Sequence, residues 1–312
     1  MLTKIAIRPV LGAALALALS NPVFAQTFPG TRAAGMAGAF VAVADDATAV
    51  YWNPAGVATG SIVSVVVDAG RSRLTVPSTQ VSTNQWDTTA FVGLSATALG
   101  LAYYRLPTYG VVNAEPAVTA PPSREDLRRS VQAVATSIAG VSLVQSLTEH
   151  LVVGATPKFV HGADGRAFDV DAGAMWWMNR MRLGVVARNL TQPSLGNETV
   201  AVELEREVTV GAAWGSGWTG ISRVIVSIDA DLTSRVTAFG DRRDVAAGVE
   251  TWWMNQRLGL RGGLRGSTIG DARAAFAAGI SAGLKPGMLV EAHVLRGHAD
   301  ACTWSIGARM TF

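Results

Sequence analysis

The feature that most constrains this chain is a long succession of short segments in which apolar and polar side chains alternate. Fourteen such segments follow residue 60, and each has the period of two, or the continuous apolar character, that is typical of a β-strand. Fourteen is an even number, as a closed antiparallel barrel made by one chain requires. The predicted strands are 61–75, 87–96, 98–106, 128–143, 151–161, 169–178, 181–189, 206–214, 221–232, 242–253, 257–266, 273–283, 287–296 and 303–312.

Composition places the predicted barrel in a lipid bilayer. Of the 312 residues, 49% are hydrophobic, and the mean hydropathy is +0.28. Beyond residue 25, the sequence has no apolar run of the roughly 18 residues that a membrane-spanning helix needs. Such a chain satisfies its backbone in lipid by closing its strands on one another, so the predicted fold class is all-β, a transmembrane antiparallel β-barrel.

The connections between the predicted strands alternate in length. The third, Pro107–Leu127, and the seventh, Leu190–Glu205, are long, whereas Thr97, 179–180 and 254–256 are tight turns. If both chain ends lie in the periplasm, the odd-numbered connections are extracellular loops and the even-numbered ones are periplasmic turns. This alternation is typical of bacterial outer-membrane barrels.

Residues 1–25 have the pattern of a secretory signal peptide. Lys4 and Arg8 form a basic start, Val10–Leu19 is apolar, and small residues precede the predicted cleavage site. We therefore expect export to the outer membrane of a Gram-negative cell. Removing the two basic residues lowers the formal net charge from +3 to about +1, so charge gives no argument for a nucleic-acid partner. The single cysteine, Cys302, excludes an internal disulfide.

The stretch Gly30–Gly60 differs from everything that follows it. It is rich in glycine and alanine, and glycines at 35 and 38 interrupt the helical spacing of its apolar residues. Pro54 disfavours helical geometry at Asn53. These features predict a compact segment that packs inside something wider, and the alternative is a helical hairpin of a soluble protein.

The sequence GMAGAFVAVADDATAVYWNPAG, at residues 35–56, resembles the N-terminal signature of FadL-like outer-membrane β-barrels and is most similar to their PorV-type branch. In that family such a stretch plugs the periplasmic mouth of the barrel. The resemblance implies that Asp45, Asp46 and the motif Asn53-Pro54-Ala55 form the plug motif of a barrel of about 14 strands. It divides the chain into a signal peptide at 1–25, an N-terminal plug segment at 26–60 and an outer-membrane β-barrel at 61–312.

The last predicted strand separates into two faces. Trp304, Ile306 and Phe312 lie on an apolar face, whereas Ser305 and Arg309 lie on the opposite one. The terminal aromatic residue and its apolar ladder resemble the signal that the outer-membrane barrel-assembly machinery reads. That machinery is the expected partner during biogenesis, and outer-membrane lipid is the expected partner afterwards.

Two Trp-Trp-Met-Asn sequences, at 176–179 and 252–255, each end a predicted strand at a short turn. Because adjacent strand residues face opposite sides, Trp176 and Trp253 are predicted to face lipid, and Trp177 and Trp252 to face the interior. A duplicated hairpin explains the repeated sequence equally well, without any functional role.

Charged residues occupy the predicted inner face. Arg257, Arg261 and Arg265 are four residues apart and therefore share one side of their strand, and lipid exposure of an arginine at mid-membrane would cost about 2–4 kcal/mol. One interpretation is a basic ladder that steers an anionic ligand through the barrel. The other is that these arginines pair with acidic residues on neighbouring strands and hold the plug.

Catalytic and metal-binding patterns are weak. Gly-x-Ser-x-Gly and His-Glu-x-x-His sequences are absent, and no catalytic residue, metal site or cofactor is predicted. Asp164, Asp169 and Asp171 suggest either a calcium loop or ordinary turn and interior acids. His298, Asp300 and Cys302 could be metal ligands, but such a site needs three or four ligands and no others are evident, so an ordinary extracellular loop is the preferred interpretation.

Two functions of different classes remain. The first is a FadL-like transport protein that passes or binds a hydrophobic or amphipathic small molecule through a plugged barrel. The second is a PorV-type adaptor that helps secreted proteins reach or attach to the cell surface. Neither function is enzymatic. A lumen with many charges argues against a hydrophobic tunnel, and the absence of a long docking loop argues against an adaptor.

Overall fold

The computed structural model describes residues 27–73, 86–112, 131–162, 165–196, 200–216, 223–237, 240–270, 274–297 and 301–312. The predicted signal peptide, Asp164, His298 and Asp300 lie outside the described residues. Within the described ranges, none of the helices has both the length and the apolarity needed to cross a membrane.

Fourteen long antiparallel strands close into a barrel in the part of the chain that the structure describes. Each long strand pairs with its neighbours in sequence, and the first and last strands pair with each other, with Val67 opposite Ala308. The predicted fold class is therefore confirmed. The strands are β1 (Val63–Arg73), β2 (Trp86–Ala96), β3 (Leu99–Val112), β4 (Val131–Ser146), β5 (Leu151–Gly162), β6 (Gly165–Met178), β7 (Met181–Arg188), β8 (Ser194–Gly196), β9 (Val200–Glu203), β10 (Glu207–Gly215), β11 (Arg223–Asp231), β12 (Arg235–Thr237), β13 (Gly240–Arg242), β14 (Asp244–Trp253), β15 (Leu258–Ser267), β16 (Ala275–Lys285), β17 (Met288–Arg296) and β18 (Cys302–Thr311).

Four short strands were not predicted. β8 and β9 lie in the seventh connection, where the sequence predicts only a loop, and β9 pairs with the far end of β3. β3 itself continues to Val112, beyond the predicted loop start at Pro107. β12 and β13 form a separate hairpin in the ninth connection. Strands of three or four residues are too short to show a period of two, so the pattern could not reveal them.

The two faces of the barrel wall have opposite chemistry, as predicted. In β18, Trp304 is 39% exposed and Ile306 56%, whereas Thr303 is 2% and Ser305 7% exposed. Trp252 is buried. Apolar side chains therefore cover the outside of the barrel, and polar ones line the inside.

The connections at one end of the barrel are mostly short. We call this the turn end. The short connections that join two long strands there are residues 97–98, 147–150, 179–180, 254–257 and 286–287. The opposite, loop end carries the two long connections that the sequence predicts. One loop-end connection is an exception, because only two residues separate β5 from β6.

Residues Thr27–Gly60, here called the interior segment, lie inside the barrel. They contain α1 (Thr31–Ala34), α2 (Ala49–Trp52) and a 3-10 helix (Pro54–Thr59), and almost all their side chains are buried. Helices of four residues enclosed by strands contradict the alternative of a helical hairpin. That the interior segment works as a plug stays a prediction.

Candidate functional site inside the barrel

The two aspartates of the predicted plug motif meet one arginine of the same segment. The Arg32 guanidinium contacts Asp45 and lies 3.2 Å from the Asp46 carboxylate. Asp46 also accepts hydrogen bonds from the Thr48 amide, at 2.9 Å, and hydroxyl, at 2.5 Å, which fixes the turn that follows. The aspartates and Arg32 thus form a local clasp within the interior segment.

Arg32 also connects the interior segment to the barrel wall. Its Nε and Nη2 atoms donate to the two carboxylate oxygens of Glu250 at 2.7 and 2.8 Å. Glu250 accepts in addition from Arg261, which reaches Glu291 at 2.9 Å, and Glu291 pairs with Arg309 at 3.1 Å. Fork-to-fork pairing of this kind is strong and directional. We call these residues, together with Asp45 and Asp46, the clasp network.

The charge of Asp45 depends on its basic neighbours. Burial by itself raises the pKa of this carboxyl group, but the guanidiniums of Arg32, Arg182 and Arg223 outweigh burial and hold the pKa below its ordinary value of 3.8. Arg182 contributes from the wall, with Nη1 3.7 Å from Asp45. Removing one partner of such a buried pair costs about 3–5 kcal/mol, because the remaining charge loses its compensation.

The Asn53-Pro54-Ala55 motif makes a buried bend between α2 and the 3-10 helix. The Asn53 amide donates to the carbonyls of Val41 and Ala174, both at 3.1 Å, and its oxygen accepts from the Ala55 amide at 3.2 Å. Pro54 begins the 3-10 helix, where its missing N–H costs nothing. The motif therefore ties the segment to β6 as well as to itself.

Wall carboxylates also bind the backbone of the interior segment. Asp229 in β11 accepts from the Phe40 and Val41 amides at 2.6 and 2.8 Å. Asp68 in β1 accepts from the Thr31 amide at 3.2 Å and from its hydroxyl at 2.6 Å, and that hydroxyl shares a 2.6 Å hydrogen bond with Ser305. The segment is thus held by polar contacts on opposite sides of the barrel.

The predicted basic ladder is divided between two environments. Arg257 is exposed in the turn before β15 begins, so it does not join the other two. Arg261 belongs to the clasp network, and Arg265 pairs with Asp244 at 3.0 Å and approaches Asp231 at 3.8 Å. These ion pairs favour the interpretation in which the arginines pair with acids on neighbouring strands. A ligand-steering role for the ladder stays a prediction.

Two further charge clusters lie toward the loop end. The first joins Arg188, Glu207 and Arg235, and the Arg188 guanidinium lies 4.9 Å from the Tyr51 ring centre. In the second, Lys158 donates to Asp171 at 2.7 Å and lies 3.2 Å from Asp169. A lysine ammonium occupies the position that a calcium ion would need, so both aspartates are interior acids. Among the described residues, no group of three or more potential ligands could hold a metal ion.

A pocket of about 280 Å³ lies at the turn end, between the interior segment and the wall. Four neighbouring strands, β6, β7, β10 and β11, contribute to it, and three arginines are among its lining residues. The lining residues are Ala42, Val43, Trp177, Asn179, Arg180, Arg182, Ala213, Trp214, Gly215, Arg223 and Ile225.

Sequence reasoning missed Arg32, although a signal for it was present. It is the only lysine or arginine between Gly30 and Gly60, in the same short stretch as two adjacent aspartates. The pocket had no such signal, because its residues come from strands that are adjacent only in the folded barrel.

Comparison with known proteins places this architecture among FadL-type barrels. The CymD monoaromatic hydrocarbon channel is 12% identical, with a TM-score of 0.63 over 91% of this chain and 97% of that one. The Pseudomonas putida toluene transporter TodX is 10% identical, with a TM-score of 0.63 over 90% and 97%. A Pseudomonas aeruginosa FadL homologue is 12% identical, with a TM-score of 0.54 over 94% and 100%.

Sequence comparison adds one partial match. The family described as F plasmid transfer operon, TraF, protein matches residues 162–231, which is less than half of the chain. No curated protein matches. At identities of 10–12% the structural likeness establishes the fold, and the predicted resemblance to FadL-like barrels is confirmed at that level.

Proposed function

We propose that this chain is an outer-membrane transport protein that passes or binds a hydrophobic or amphipathic small molecule, with the interior segment as its plug. One observation carries the proposal: a closed FadL-type barrel encloses a segment that is attached to the wall by hydrogen bonds and ion pairs. Such contacts can be exchanged one at a time for water or for a ligand, so the segment can move without unfolding the wall.

The outer surface of the barrel supports the proposed location. Large apolar side chains are exposed on strands all around the wall, where water would leave them without partners and lipid would bury them. Examples on separate strands are Val92, Leu101, Val141, Leu183, Val226, Leu264, Ile280 and Ile306. Outer-membrane lipid is thus the proposed permanent partner, and the barrel-assembly machinery is the proposed partner during insertion.

The class of ligand is proposed from the fold together with the interior. Two barrels of the same fold are described as a monoaromatic hydrocarbon channel and a toluene transporter. Here the inner wall carries many charges, so we favour an amphipathic molecule over a pure hydrocarbon. A small molecule with both an apolar and a polar part can contact Trp177 or Ile225 and an arginine at once.

Uptake by whole cells tests this proposal. A Gram-negative host that lacks its own FadL-type transporter would express this chain, and accumulation of radiolabelled toluene and benzoate would be measured. We expect faster accumulation of at least one compound than in cells that carry the empty vector. Equal rates, with the barrel assembled in the outer membrane, would contradict a transport function for this ligand class.

The PorV-type adaptor is the second candidate, and the clasp network favours it. Arg32 alone contacts three carboxylates, Asp45, Asp46 and Glu250, which holds the interior segment firmly in place. A barrel that stays closed could serve as a membrane-embedded partner for secreted proteins. Co-purification of a secreted protein with the barrel, together with no uptake, would favour the adaptor.

A further inference from the structure

We propose that the turn-end pocket binds a small organic anion, with its carboxylate between Arg182 and Arg223 and its apolar part against Trp177, Val43 and Ile225. The ligand is taken to be the amphipathic molecule of the proposed function, so the inference rests on that function for its biological role. Binding itself requires no transport, and the two can be tested separately.

The pocket exists because of small side chains on one strand. Arg182 on β7 lies opposite Ala213 on β10, and Ile225 on β11 lies opposite Gly215. Ala213 and Gly215 leave room between the inward side chains of β7 and β11, and that room is the pocket. Its volume of about 280 Å³ lies just below the roughly 300–1,000 Å³ of sites for drug-sized ligands, so a single-ring molecule fits it.

The charge of the pocket selects an anion. Arg180, Arg182 and Arg223 line it, and no acidic residue is among its described lining residues. Asp45 approaches the pocket, 3.7 Å from Arg182, and this carboxylate is also engaged by Arg32. The described lining itself therefore carries positive charge only.

The geometry also suits a carboxylate in particular. Guanidinium groups recognise carboxylates through paired N–H donors, and they do so best where water is partly excluded. The apolar wall supplies that exclusion, since Ile225, Val43 and Ala213 are buried. A bound carboxylate would share Arg182 with Asp45, which links ligand binding to the clasp network.

Titration calorimetry on the detergent-solubilised barrel, with benzoate as the probe, tests the inference. We expect saturable binding of benzoate and weaker binding of both benzyl alcohol, which lacks the charge, and sulfate, which lacks the ring. No binding of benzoate would overturn the proposal. If benzyl alcohol bound as tightly as benzoate, the ligand would not need a negative charge. If sulfate bound as tightly, the ligand would not need an apolar part. Either result would overturn the proposed ligand class.

Three charge-removing variants locate the site. Arg223→Gln and Arg180→Gln should each weaken benzoate binding, the former by about tenfold, as expected for one charge-assisted hydrogen bond. Arg257→Gln is the matched control, because it removes the same charge from the corresponding turn of the second Trp-Trp-Met-Asn sequence, outside the pocket. If Arg257→Gln lost as much benzoate affinity, the losses would come from the change in net charge of the protein, and the proposed site would be overturned. Arg180 is exposed in its turn, so its variant keeps the test valid if Arg223→Gln does not assemble.

A fourth variant moves binding in the opposite direction. Asp45→Asn removes the carboxylate that competes for Arg182 and should tighten benzoate binding. Unchanged or weaker binding would overturn the placement of the ligand carboxylate at Arg182. Failure of the calorimetry leaves the uptake proposal standing, whereas binding without uptake supports the pocket and contradicts transport.

Discussion

At the scale of single residues, one arginine and a few glycines of the wall determine the position of the interior segment in the barrel. Arg32 joins Asp45 and Asp46 of its own segment to Glu250 of the wall. Glycine is required where the segment comes closest to a strand. A Cβ atom added at Gly263 would lie 2.3 Å from the Met36 carbonyl carbon, a distance that no relaxed structure tolerates.

Gly263→Ala should therefore destabilise the barrel, or displace the segment, at a cost of about 1–3 kcal/mol for overpacking. Gly262→Ala is the matched control on the adjacent residue, where the nearest atom to a new Cβ, apart from the chain neighbours, is 3.9 Å away. Thermal unfolding followed by heat-modifiable gel mobility measures both variants. Equal stability of the two would contradict the close contact between Met36 and β15.

The stability of the clasp network should depend on acid pH through Asp45. Its pKa in the folded protein is below the ordinary value of 3.8, so the ionised group stabilises the fold above that value. The contribution is lost as the pH falls through the lower, folded pKa. We expect the free energy of unfolding to decrease as the pH falls below about 4, and to decrease less in Asp45→Asn. Urea unfolding of the two proteins across that range measures the difference, and identical slopes would contradict the assignment.

At the scale of strands, all fourteen barrel strands could be predicted from sequence. Each has enough residues for the alternation to be visible, and β18 shows why it is so clear: its inward side is polar and its outward side apolar. The hairpins β8–β9 and β12–β13 could not be predicted, since strands of three or four residues are too short to show the alternation. The spacing of four residues predicted that Arg257 shares the inner face with Arg261 and Arg265. That prediction was wrong, because β15 begins only at Leu258 and Arg257 lies in the exposed turn before it.

The site could be predicted only in part. The Asn53-Pro54-Ala55 motif and both aspartates were recognisable, yet their partners depend on three-dimensional register. Asp229, for instance, accepts from the Phe40 and Val41 amides, which are 189 and 188 positions away in sequence. No periodicity within either segment carries that information.

The outward face of β15 provides a test of the membrane assignment. Leu264 is exposed near the middle of the strand, so Leu264→Arg should place a charge in the hydrocarbon region and cost about 2–4 kcal/mol. Leu147→Arg is the control, because Leu147 is also exposed but lies in a connection at the turn end. Assembled yield in the outer membrane and urea unfolding in lipid vesicles measure the effect. Equal tolerance of both changes would place β15 outside the hydrocarbon region.

At the scale of the whole molecule, the backbone hydrogen bonds that close the wall do not depend on the interior segment. Every barrel strand pairs with two neighbours along its length, and none of these ladders uses the segment. Deleting Met36–Asn53 should therefore leave an assembled barrel with higher conductance in planar lipid bilayers. Asp45→Ala/Asp46→Ala should raise conductance less, because it loosens the segment without removing it. Failure of the deletion variant to assemble would make the segment part of the folding core, and an unchanged conductance would show that another element closes the barrel.

The central claim, that the interior segment must move for transport, is tested most directly by a reversible tether. The oxygens of Thr31 and Ser305 are 2.6 Å apart, so Thr31→Cys/Ser305→Cys should form a disulfide between segment and wall. Ser142→Cys/Thr156→Cys is the matched control, since those oxygens are 2.7 Å apart and both belong to the wall. Both variants would carry Cys302→Ser.

Uptake of labelled benzoate and toluene by whole cells would be measured with each disulfide oxidised and then reduced. The account predicts that oxidation of the Thr31–Ser305 tether abolishes uptake, that reduction restores it, and that the wall-to-wall control transports equally in both states. Full uptake through a barrel whose tether is completely oxidised would contradict the account.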